Sequence, residues 1–192
     1  MITAYFIERF RPSLFLPLAV VLAVAASGGH YDAWPLVRDA ALALLLLAQF
    51  RLWDDLADRP ADALRHPDRV LVKTPSPDPF VRLCVTLAFI NFGVAVGRDP
   101  TGISLAALGL LHGVLGGWYL GRSRRTVLGD QLLMAKYPGF VLILSGGRLL
   151  ESPVATAVAA AVVYLAALAY EAWHDPSSPI RAIRSIHSGG GS

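Results

Sequence analysis

The sequence predicts an all-α integral membrane protein, a bundle of about six transmembrane helices with both termini in the cytoplasm. Three observations carry that prediction. Hydrophobic residues make up 55% of the 192 residues and charged residues only 16%, against the roughly 25% charged of an ordinary globular domain. The apolar residues come in blocks instead of alternating with polar ones. The basic residues crowd into alternate connections between those blocks. This composition excludes a soluble enzyme, a disordered regulator and a disulfide scaffold. The single cysteine, Cys84, has no partner for an internal bridge.

Six stretches are long enough to cross a hydrocarbon core, which takes about 20 mostly apolar residues. The first, Pro12 to Gly29, follows Arg9 and Arg11. Its long apolar run and the immediate start of the next span mark it as a retained helix, not a cleaved signal peptide. The second, Pro35 to Trp53, ends where Asp54 and Asp55 begin. The third runs from Phe80 to Gly97, after a connection punctuated by Pro60, Pro67, Pro75, Pro77 and Pro79. The fourth, Gly102 to Gly121, carries Gly109, Gly113, Gly117 and Gly121, one every four residues. With Gly93 and Gly97 of the third span, that stripe suits close helix packing inside the bundle or against a second copy. The fifth, Val127 to Ser145, holds Asp130 and Lys136, and the sixth, Pro153 to Tyr170, leads into Glu171. Trp34, Trp53, Trp118 and Trp173 fall near span ends, as interfacial aromatics do. Gln49, Asn91 and His112 read as hydrogen-bonding groups between helices.

Orientation follows from charge. With the N-terminus inside, the inner segments hold thirteen basic residues: Arg9, Arg11, Arg51, Arg59, Arg65, Arg69, Lys73, Arg82, Arg122, Arg124, Arg125, Arg181 and Arg184. The outer segments keep only Arg38, Arg98 and Arg148. That bias is the positive-inside pattern. The net charge of +3 therefore reports orientation, and no nucleic-acid partner is expected. Residues 1–187 read as one transmembrane domain, and the tail 188–192, SGGGS, has the composition of a flexible linker.

The most informative run is RLWDDLADRPADALRHPDR, from Arg51 to Arg69. Asp54, Asp58 and Asp62 stand at i, i+4 and i+8, with Asp55 three before Asp58, so a helix continuing out of the membrane would carry them on one face. Pro60 is expected to interrupt that helix near Asp58 and to leave Asp62 on a following short helix or turn. Four carboxylates so close repel one another unless a cation sits among them. Hard oxygen donors suit Mg²⁺, which keeps open positions for phosphate oxygens. Arg65, Arg69 and Lys73 would then meet a phosphate through charge-assisted hydrogen bonds. The plain alternative is a solvated loop of mixed charge.

DDxxDxxxD at the exit of the second span, followed by His66-Pro67 and basic residues, resembles the first aspartate-rich motif of the UbiA superfamily of intramembrane prenyltransferases. The family motif is usually NDxxDxxxD, and Asp54 stands where Asn is commoner. The resemblance spans roughly Pro35 to Asp175 and implies a larger helical bundle than six spans. It implies Mg²⁺ held by two aspartate-rich motifs at a site opening to the cytoplasm, where an isoprenyl diphosphate ionises and its allylic cation meets a lipophilic acceptor. Glu171-Ala-Trp-His-Asp175 at the exit of span six is similar to the family's second DxxxD motif, with Glu first. The metal ligands so implied are Asp54, Asp55, Asp58, Asp62, Glu171 and Asp175.

The family also carries Tyr-x-x-x-Lys in its fifth helix, with the lysine on diphosphate. Lys136 matches that lysine, position 132 is Leu, and the tyrosine is Tyr137. The diphosphate contacts implied are therefore Arg65, Arg69 and Lys136; without the resemblance, Lys136 reads as a snorkelling lysine or a water-bridged partner of Asp130. The implied location is a bacterial inner membrane, with the site on the cytoplasmic side. Two other functions fit the same residues. One is an intramembrane terpene cyclase of the same superfamily; the other is a non-catalytic membrane protein, such as a divalent-cation transporter or a partner subunit.

Overall fold

The computed structural model describes residues 1–121 and 126–174. In chain order their helices are α1 (Ile2–Arg9), α2 (Pro12–Ala26), α3 (Ala33–Arg65), α4 (Val70–Lys73), α5 (Asp78–Arg98), α6 (Ile103–Gly121), α7 (Val127–Met134), α8 (Lys136–Ser145), α9 (Arg148–Glu151) and α10 (Pro153–His174). Five spans are long and apolar enough to cross a membrane: α3, α5, α6, α7 with α8, and α10. α2 does not reach that length by itself, and the first expected span makes a sixth only when α1 and α2, which are bent against each other, count as one span. The chain is an all-helical integral membrane protein.

The helix ends follow local chemistry. α2 has 15 residues, and at 1.5 Å per residue its rise of about 22 Å falls short of the ~30 Å hydrocarbon core. The chain turns 73° between α1 and α2. The turn falls at Arg11, whose extended backbone suits a residue preceding proline, and Pro12 then opens α2. α2 stops before Gly28 and Gly29, which take φ of +63° and +94°, conformations that favour glycine.

α3 has 33 residues, about 50 Å of helix, so it crosses the membrane and projects well beyond it. The expected interruption at Pro60 does not occur. The helix runs through Pro60 to Arg65 and carries Asp62 with it. Proline removes one backbone donor and crowds the preceding turn, and tertiary anchors hold the turn that follows. Arg59 Nε donates to the Leu71 carbonyl at 3.2 Å, and its Nη2 donates to the Thr74 carbonyl at 2.8 Å. Leu71 is itself buried beneath α3. The connection expected from Asp54 to Pro79 therefore shrinks to residues 66–77, with α4 inside it.

In the bundle, α3 packs between α2 and α5, and α8 packs against α6, α10 and α2. Leu22, Ala43, Leu46, Phe50, Leu108, Leu115, Phe140 and Ile143 are buried between these helices. Val20, Leu110, Val158, Val162 and Leu165 point outward, as lipid-facing side chains do. The glycine stripe does not pack inside the bundle as expected. A Cβ built on Gly93, Gly97, Gly109, Gly113, Gly117 or Gly121 meets nothing within 4 Å. The close approaches are made at glycines off that stripe: Gly116 faces Trp53 at 3.6 Å and Gly139 faces Leu111 at 3.2 Å. Four-residue spacing marks a face, and the rotation of the helix turned that face outward.

Buried ion pairs close one end of the bundle. Asp39 of α3 is fully buried; Arg98 reaches it at 2.8 Å, and Arg148 bonds it as well. Both arginines also donate to the Leu144 carbonyl, at 2.5 and 2.6 Å. These are two of the three arginines that the charge pattern left on the outer side. Ser104 Oγ donates to the Ile143 carbonyl at 2.8 Å, tying the start of α6 to the end of α8.

Beside them, Asp99 accepts from Thr101 Oγ1 at 2.6 Å, Thr101 N at 3.0 Å and Ser104 N at 2.8 Å. Burial acts to raise the Asp99 carboxyl, but the bonds from Thr101 and Ser104 outweigh it and hold the group at about 2.

Two outcomes follow from this clamp. Asp39→Ala leaves two arginines facing a buried gap and is expected to cost about 3–5 kcal/mol. A thermal midpoint in detergent equal to that of the wild type would show that the arginines find other acceptors. Asp99 is held below the ~3.9 of an unfolded aspartate, so its contribution is complete above about pH 4 and is lost as pH falls toward 2. Asp99→Asn should flatten that acid limb of the stability curve; an unchanged limb would remove Asp99 from it.

Candidate functional site

The projecting end of α3 presents its carboxylates in three directions. At 100° per residue, Asp58 lies about 40° around the helix from Asp54, Asp62 about 80° and Asp55 about 100°. The run therefore spans an arc of about 100°, with Asp54 at one edge and Asp55 at the other.

Asp54 faces α6 and α8. Its Oδ1 accepts from the Tyr119 hydroxyl and its Oδ2 from Lys136 Nζ. Lys136 is buried, with its Nζ 5.5 Å from the Tyr137 ring centre. Span five breaks at Ala135, between α7 and α8, as the nearby Pro138 suggests, and Lys136 is the first residue after the break. The break sets the direction of the lysine. Its direct carboxylate partner is Asp54. Asp130 is buried in the first turn of α7, which Thr126 caps by accepting from Gly129 N at 3.0 Å.

Asp55 faces α1. It accepts from the Tyr5 hydroxyl at 2.9 Å and from Arg9 through both Nε at 2.9 Å and Nη2 at 2.7 Å. Arg51, one turn earlier on α3, adds a contact at 3.3 Å. Asp62 pairs with Arg69, and Glu8 of α1 accepts from Val70 N at 2.9 Å, capping α4. Tyr5, Glu8, Arg9, Asp55, Asp62, Arg69 and Leu71 enclose a small polar crevice between α1, α3 and α4.

The cations among the carboxylates are thus supplied by the protein: Lys136, Arg9, Arg51 and Arg69. Among the described residues, no three His, Cys, Asp or Glu side chains converge as a metal cage. Asp58 sits half-buried between the two flanks. Arg65 ends α3 and is exposed. Glu171 is half-buried on the last turn of α10, and Asp175 lies outside the described residues.

Tyr5, Glu8, Arg9 and Tyr119 were missed by sequence reasoning. Tyr5 and Arg9 stand at i, i+4 on a short segment that reads as a mere flank of the first span. That spacing was the available signal.

Deeper in the bundle, Asn91 Nδ2 donates to Gln49 Oε1 at 2.7 Å, and Gln49 Nε2 lies 2.6 Å from His112 Nε2. His112 Nδ1 lies 2.8 Å from the Leu108 carbonyl. One tautomer satisfies the chain: Nδ1 carries the proton and donates to the carbonyl, while Nε2 accepts from Gln49. These are the interhelical hydrogen bonds that the sequence suggested. Phe50, Trp53 and Phe92 surround the His112 ring at centroid distances of 4.9, 5.4 and 5.0 Å. Where the break at Ala135 meets α10, Ala135, Pro138, Ala160, Ala161 and Tyr164 line an open apolar groove of about 270 Å³.

The chain matches no protein-family model, no curated protein and no solved structure. The site is read from its own geometry.

The bidentate Arg9–Asp55 pair is the main polar tie of α1. Arg9→Ala is expected to cost about 1.5–3 kcal/mol at that contact. Hydrogen exchange should then speed up across residues 2–9 while α3, α5 and α8 keep their protection. Equal protection of α1 in the variant would assign its anchoring to Tyr5 and the apolar contacts.

Proposed function

We propose that this chain is a Mg²⁺-dependent intramembrane prenyltransferase that moves an isoprenyl group from its diphosphate to a lipophilic acceptor. The observation that carries the reading is the meeting of Asp54 with Lys136, residues 82 apart in sequence. A carboxylate for a metal and an ammonium for a phosphate come to one point at the end of the bundle, near an apolar groove.

The donors fit the ion. Mg²⁺ typically takes one or two protein carboxylates and completes its shell with water and phosphate oxygens. Asp54 and Asp58, one turn apart on α3, supply such a pair, while Glu171 of α10 does not converge with them as a third ligand. Asp62 lies on the adjoining face with Arg69, and Asp55 acts as the anchor of α1. When bound, the metal neutralises charge on the departing diphosphate.

The remaining work belongs to the chain. Lys136 and Arg69 hold phosphate oxygens through charge-assisted hydrogen bonds, with Arg65 at the exposed rim. The groove between α8 and α10 receives the hydrocarbon chain from the bilayer. Its apolar wall keeps water from the allylic cation. We place the site on the cytoplasmic side of a bacterial inner membrane, following the arginine distribution. A terpene cyclase would use the same residues and omit the acceptor, so product analysis separates the two.

Purified protein supplied with Mg²⁺, prenyl diphosphates of several chain lengths and lipophilic acceptors should release diphosphate and form a prenylated product. Asp58→Ala should lower that rate by about 100-fold or more, the scale of losing one electrostatic contact to developing charge. Wild-type protein that is inert with every donor, or as active with EDTA as with Mg²⁺, would end the proposal.

A further inference from the structure

Asp54 is one of the two carboxylates assigned to the metal above, and both of its oxygens are engaged by the protein. Tyr119 donates to Oδ1 and Lys136 to Oδ2. The ion pair is shielded, with the lysine side chain 9% exposed and the aspartate side chain 13%. Lys136 cannot simply swing into water, because it is the first residue of α8 and sits within the packed bundle. The neighbouring carboxylate offers it no ready second partner, since Asp55 is held by Tyr5, Arg9 and Arg51.

Shielded charges separate only when each finds a replacement. A divalent cation arriving alone at Asp54 would push the ammonium off and leave two cations side by side. A diphosphate arriving alone would draw Lys136 away and leave the Asp54 carboxylate facing a polyanion. When both arrive, the exchange balances: the carboxylate takes the metal, the ammonium takes a phosphate oxygen, and no charge is left unpaired.

We propose that Lys136 is a latch on Asp54 that makes metal binding and diphosphate binding conditional on each other. The latch rests on the prenyl-diphosphate reading of this site. Tyr119 is its second, neutral arm, steadying the carboxylate toward the lysine. By linkage, each ligand raises the affinity for the other by the same factor. An affinity limited by a rarely populated open state falls in proportion to that population.

The test uses the full chain in lipid nanodiscs, with Mn²⁺ binding followed by electron paramagnetic resonance. Inorganic pyrophosphate is the second probe, with free metal corrected for its solution complex. In the wild type, pyrophosphate should tighten Mn²⁺ binding by about 10–100-fold, within the usual range of coupling between two ligands. Lys136→Met should bind Mn²⁺ alone more tightly than the wild type does, and added pyrophosphate should improve it little.

Tyr119→Phe changes no charge and should move Mn²⁺ affinity in the same direction by a smaller factor. It thereby separates release of a latch from removal of a nearby positive charge. It also serves if Lys136→Met does not fold. Mn²⁺ binding that is equally tight in wild type and variants, with or without pyrophosphate, overturns the latch and leaves the transferase reading standing. Wild-type protein that binds no Mn²⁺ with or without pyrophosphate and turns over no prenyl diphosphate overturns both.

Discussion

A charged side chain at membrane depth is costly unless a partner of opposite sign reaches it, and lipid gives helices no hydrophobic reason to meet. In this chain those two conditions have a common answer. Asp39 draws Arg98 and Arg148 together at one end of the bundle, and Asp54 draws Lys136 and Tyr119 together at the other. Both aspartates lie on α3. α5 and the broken span of α7 and α8 are therefore tied to one helix by charge, and α6 by the Tyr119 hydroxyl. Apolar packing around Leu46, Phe50, Phe140 and Ile143 fills the space between the ties.

The length of α3 turns that structural solution into a site. At about 50 Å it is longer than the ~30 Å hydrocarbon core, and its last turns carry the charged residues that water tolerates better than lipid. α1 folds back across one flank and satisfies Asp55 through Tyr5 and Arg9, while α4 and Arg69 cover Asp62. Asp54 on the opposite flank is served by Lys136, which the break at Ala135 delivers from inside the bundle. One helix thus separates the carboxylates that brace α1 and α4, Asp55 and Asp62, from Asp54, which meets the buried Lys136.

Much of this was legible in the sequence. The starts of spans at Pro12, Val127 and Pro153 coincide with helix starts, because proline suits a first turn and apolar runs report burial in lipid residue by residue. Gln49, Asn91 and His112 form the interhelical bonds expected of polar groups in apolar spans. Pro60 misled, because its cost is local whereas the Arg59 bonds to Leu71 and Thr74 are tertiary. The glycine stripe faces outward, so of its two expected partners the bundle interior is excluded. Spacing defines a face, but only neighbouring helices decide what that face meets.

The sequence by itself determined which stretches are apolar enough to lie in a membrane, where several of them begin, and that acidic residues collect at the end of the second span. Each of these depends on local composition and on a bilayer thickness common to all membrane proteins. The tertiary structure alone decided which cation answers each carboxylate. Lys136 and Asp54 are 82 residues apart, and Arg148 and Asp39 are 109 apart. Such pairs depend on the rotation of each helix about its axis and on the order in which the helices pack. A change of one residue in phase turns a side chain by about 100°, and hydropathy does not record that phase.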